Sequence, residues 1–166
     1  MPSDGLRPRG LYFMLFIRDS PPPPNDFHWA LYFHHDSGNT GMKYHIKGEG
    51  GGWIASHEHT AGVLKSFLLV GLLRIADVPV GSEIYLDQAF RTYDNQLNDL
   101  PSITCRVWAF WVLELLKKSV KGQRILNCND LQALEEEVKN RGNSHAMSAD
   151  RNQQPRPVAD SALCGL

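Results

Sequence analysis

The chain has 166 residues, of which 42% are hydrophobic and 21% charged, with a formal net charge of -1. That mixture supports one packed domain, and the scattered, nearly balanced charge excludes the basic footprint needed for nucleic acid or an anionic membrane surface. Three cysteines, an odd and sparse count, argue against a disulfide framework and for a reducing, cytoplasmic setting in which each thiol is free to react.

Residues 1–9 are polar with Pro and Gly and read as a flexible N-terminus; the single domain is expected over residues 10–141 and a disordered C-terminal tail over 142–166. Leu11 to Ile17 is a run of aromatic and branched residues suited to a buried strand, too short to span a bilayer. Pro21 to Pro24 ends it with a stiff extended connector. Phe27 to His34 reads as a second strand with His28, Ala30, Tyr32 and His34 on one face. His34, His35 and Asp36 then enter a solvated turn that runs on to Gly41. Met42 to Lys47 returns as a third strand carrying His45, so the two strands form a hairpin.

Gly48 to Gly52 is a flexible loop without the ending of a phosphate cradle. His57 and His59 fall on one strand face and could bind a metal, but a zinc site needs a third protein ligand, and neither a metal nor a cofactor is expected. Phe67 to Ile75 is a further strand, and a helix is expected between Ser82 and Tyr93. From Thr104 to Lys118 only a thin polar stripe interrupts an apolar helix, which therefore belongs inside the domain. A last helix runs over Leu131 to Lys139, capped by Asn129 or Asp130, with Glu135 to Glu137 on a solvated face.

Chemistry concentrates at Cys105. The breaker and capping residues Leu100 to Thr104 place this thiol in the first turn of the apolar helix, where unpaired N–H groups stabilise a thiolate or an oxyanion. The plainer reading is a buried small hydrophobe. A nucleophilic cysteine needs an imidazole and a group that orients it. His28 and His45, on neighbouring strands, are the candidates. Asn127-Cys128 also precedes a helix, but an acidic one, and ranks second.

His28-Trp29-Ala30-Leu31-Tyr32-Phe33, then Tyr44-His45-Ile46, then a cysteine opening an apolar helix, resembles the permuted papain-like group that includes lecithin retinol acyltransferase-like proteins. The histidine strands precede the cysteine helix, as in that group, and the resemblance covers roughly residues 10 to 118. It implies an α+β, circularly permuted papain-like fold, an antiparallel sheet against a buried central helix. It also implies a thiol hydrolase or acyltransferase, with His28 as base, His45 as orienting residue and Cys105 as the acyl-carrying nucleophile. The substrate would be a small molecule or acyl group, with a carrier protein or protein substrate also compatible. Thr104-Cys105-Arg106-Val107 departs from the group's Asn-Cys-Glu-His, and its hydrophobic membrane tail has no counterpart here, so a lipid substrate does not carry over. Small uncharacterised fungal proteins of the same fold are similar in look and supply no activity. Two other outcomes remain open: a ligand-binding or protein-binding module that has lost catalysis, and a biosynthetic cyclase that uses the same cleft through His28 without Cys105.

Overall fold

The computed structural model describes residues 5–36 and 38–166, so Ser37 and residues 1–4 of the expected flexible N-terminus lie outside the described residues. The architecture is mixed α+β. Strands β1 (Gly10–Ile17), β2 (Phe27–His34), β3 (Thr40–Tyr44), β6 (Glu58–Ala61), β7 (Leu69–Asp77) and β8 (Val158–Asp160) form one sheet in the order β6-β3-β2-β1-β7-β8. β4 (Ile46–Glu49) and β5 (Gly52–Ala55) make a separate two-stranded ribbon. Helices α1 (Glu83–Arg91), α2 (Cys105–Leu116) and α3 (Leu131–Asp150) complete the fold. The pairings are antiparallel except that of β8, which lies parallel to β7.

Strand alternation divides the sheet into two unlike faces. Phe13 and Leu15 of β1 and Trp29, Leu31 and Phe33 of β2 share one core with Trp108, Val112 and Leu113 of α2 and Leu134 and Val138 of α3. Tyr12, Met14, Ala30 and Tyr32 project from the same strands to the other side, where Leu6, Val63 and Leu64 cover them and Leu69 of β7 packs beside them. The helices therefore pack on one face, and an N-terminal segment and a 3₁₀ turn at Val63–Lys65 close the other. Gly41 is required on that second face, because a Cβ there would collide with the Tyr32 ring and the Phe33 carbonyl oxygen.

α2 begins where its sequence dictates. Thr104 is extended, at φ -138°, and its side chain accepts a hydrogen bond from the Val107 N–H at 3.1 Å. Asp130 does the same for α3, accepting from the Ala133 N–H at 3.0 Å.

Three expectations need correction. The stretch after residue 142 is not a disordered tail: α3 continues to Asp150, and residues 158–160 add an edge strand. Arg74 holds that strand through two bonds to Asp160, at 2.8 and 2.9 Å. Residues 5–9 are likewise tied down, with Leu6 buried and the Arg9 guanidinium donating to the carbonyls of Val78 and Pro79. His34 is buried, not solvated, and lies 2.9 Å from the Tyr32 hydroxyl through Nδ1.

Candidate functional site

His28 and His45 meet. His28 Nε2 lies 2.8 Å from His45 Nδ1, a hydrogen bond between two imidazoles. The local chain explains it. Tyr44 is pinned toward the helices, its hydroxyl donating to Asp87 at 2.8 Å and its ring stacked on Phe90 at 4.2 Å. Ile46 is fully buried in the same core. With both neighbours committed to the helix side, His45 turns to the opposite face, where alternation also places His28 beside Phe16.

Burial disfavours the charged form of each ring, and the Lys43 ammonium adds to it. His28 is lowered to about 4, by burial first and then by Lys43 and Arg18. His45 is lowered to about 3, again by burial first, with Lys43 next. The pair is neutral near pH 7 and shares one bridging proton. If His28 Nε2 donates it, His28 Nδ1 carries a lone pair; if His45 Nδ1 donates it, His45 Nε2 does. His45 Nε2 is buried and has no hydrogen-bond partner among the described residues. Leaving such an atom unsatisfied costs about 1–3 kcal/mol.

Cys105 is the first residue of α2, buried, in the core that α2 shares with Trp29 and Leu31. Phe27, Trp29 and Leu31 alternate with His28 and Ala30 along β2, and His28 lies against Phe16 on the other side, so the thiol is on the helix-bearing face and the imidazole pair on its reverse. Among the described residues no hydrogen bond joins Cys105 Sγ to either histidine. The structure thus brings together two of the three expected residues and leaves the third apart. Comparison of the chain with protein-family models, with curated proteins and with solved structures found no match.

A histidine does stand on the helix-bearing face: His57. Its ring lies 5.8 Å from that of Trp108 at 24° and 5.3 Å from that of Tyr44. Its Nδ1 accepts from the backbone N–H of His45 at 3.2 Å, which fixes the proton on Nε2, and Nε2 donates to Asp94 at 3.0 Å. Both ring nitrogens are spent, so His57 braces the turn that presents His45 and has no lone pair left for a thiol. His59 is exposed on β6, opposite Met42. Sequence reasoning missed the tie to Asp94, because 37 residues separate the partners and nothing in either segment marks them as neighbours. Cys128, the second-ranked thiol, is fully buried, its Sγ 4.0 Å from the Asp130 carbonyl oxygen.

Proposed function

We propose that this chain is an enzyme of general acid–base chemistry, with the His28–His45 pair as its reactive unit and an anionic small molecule as its substrate. One observation carries the reading: two imidazoles in direct hydrogen-bond contact, one with a buried and unpartnered ring nitrogen. Unsatisfied titratable groups with shifted pKa values concentrate where function outweighs stability.

His28, half-buried and donating Nε2–H to His45, takes a proton at Nδ1. The imidazolium then keeps its hydrogen bond to His45, which orients the ring. A base held at about 4 is weak at neutral pH. Lys43 and Arg18 are already paired with Glu58 at 3.0 Å and Asp26 at 3.4 Å, so a bound carboxylate or phosphate raises His28 toward the working pH by adding negative charge beyond these pairs. This reading corresponds to the cyclase alternative, in which the histidine is needed and the cysteine is not.

Acyl transfer through Cys105 is the second reading, favoured by the thiol's place in the capped first turn of α2. One experiment separates them. A panel of carboxylate-bearing esters, thioesters and carbon acids is incubated with the protein in deuterated water, and turnover and deuterium uptake are followed by mass spectrometry. The acid–base reading expects His28→Gln to slow turnover by about 10²–10⁴ and Cys105→Ser to leave it intact. Turnover that vanishes with Cys105→Ser and survives His28→Gln overturns it in favour of the thiol.

A further inference from the structure

The two cysteines outside the candidate site converge from distant parts of the chain. Cys128 sits in the connection between α2 and α3 and Cys164 near the C-terminus, and both are fully buried in the helix-side core. Their chain neighbours line one pocket, and a Cβ added at Gly165 would come within 4.0 Å of the Asn127 Cβ. Cys164 is pushed up to about 12, by burial first, and the adjoining Cys128 thiol is among the further causes. A pocket of roughly 390 Å³, lined by Arg7, Arg74, Asn127, Cys164 and Leu166, opens on this junction. The residues on either side of Cys164 are exposed, so a short excursion of the last turn uncovers the sulfur.

We propose that Cys128 and Cys164 are a redox-active dithiol that closes to a disulfide on reaction with a small-molecule disulfide such as oxidised glutathione. The thiolate of one cysteine attacks a sulfur of the oxidant, forming a mixed disulfide and expelling one glutathione thiolate. The second cysteine gives up its proton, attacks the protein sulfur of that adduct, and expels the other glutathione. Two protein thiols lose two protons and two electrons, and the oxidant's S–S bond is reduced to two thiols. The product fastens the C-terminal segment, which carries β8, to the loop ahead of α3. It acts on the edge of the sheet remote in sequence from His28, and it holds whichever reading of the candidate site is correct.

The test uses the full chain, equilibrated with mixtures of reduced and oxidised glutathione under native conditions, quenched in acid, alkylated and mapped by mass spectrometry. The expected result is a linked pair of peptides containing Cys128 and Cys164, with Cys105 still alkylated. Closing the long loop between them should raise Tm by about 5–15 °C. Cys105→Ser must retain the link and Cys164→Ser must lose it; the mapping of the unaltered chain decides the matter even if a variant folds poorly. Three free thiols at every oxidant ratio, or separate glutathione adducts on Cys128 and Cys164, would overturn the proposal.

Discussion

His28 and His45 share a single proton across 2.8 Å, and both rings are held neutral by burial. Because each folded-state pKa lies below the ordinary 6.5, at about 4 and about 3, the unfolded chain binds more protons throughout the interval between. Stability from this source is fully present above about 6.5 and is lost as the pH falls through 4 and then 3. Each histidine contributes a slope of at most about 1.4 kcal/mol per pH unit. Urea denaturation between pH 7 and 4 should show stability falling, and the double variant His28→Gln, His45→Gln should flatten the dependence. An unchanged slope in that variant would assign the effect to other groups, such as His34 and His145, which are lowered by burial as well.

His57 is expected to matter for stability more than for turnover. Replacing it with Ala removes the stack on Trp108, strips the acceptor from the His45 N–H and leaves Asp94 without its imidazole. The loss should be about 2–4 kcal/mol in chemical denaturation. His57→Gln, which can still accept from a backbone N–H, should recover part of it. A variant as stable as the parent would mean that this turn is held by Tyr44 and Ile46 alone.

Gly142 lies inside α3, where replacement by Ala ordinarily stabilises a helix by about 1 kcal/mol. Here the added Cβ would stand 2.7 Å from Leu15 Cδ1 and 2.8 Å from the Phe27 ring. Both neighbours are buried in the core and have little room to yield. Overpacking of this kind costs about 1–3 kcal/mol, so Gly142→Ala should lower stability despite its helix propensity. A rise in Tm would show that α3 can lift from the sheet without loss.

The same glycine shows why part of the fold was hidden in the sequence. β1, β2 and α2 are written in large apolar residues at the period of each element and are plain to read. The second half of α3 buries Gly142, Ala146 and Ala149, a stripe of small residues amid Asn, Ser and Asp that resembles a disordered tail. β8 is three residues long and owes its place to Arg74, so no local pattern announces it. Alternation correctly grouped His28 with Ala30 and Tyr32, since that depends only on the strand's period of two. Which face the helices would cover depends on packing between distant segments. Pairing Cys105 with His28 required α2 to lie on the face that Trp29 and Leu31 do not occupy, and those larger side chains took the helix to their own side.

The C-terminal strand supplies the last prediction. β8 is attached to β7 by a short parallel pairing and by Arg74, a buried guanidinium that binds Asp160 through two nitrogens and Asp77 through a third at 2.7 Å. Arg74→Leu keeps an apolar stem of similar size and removes all of these bonds, while both carboxylates remain substantially exposed and water can satisfy them. The cost to global stability should therefore be modest, about 1–2 kcal/mol. The local effect should be larger, because β8 is the edge strand of the sheet and pairs with β7 alone among the described residues. Limited proteolysis is expected to cut between residues 151 and 157 much faster in Arg74→Leu than in the parent, with the α2 and β2 segments still protected from hydrogen exchange. Equal cutting rates would place the anchor of this strand in the Ser161–Glu137 bond and the buried Cys164 instead.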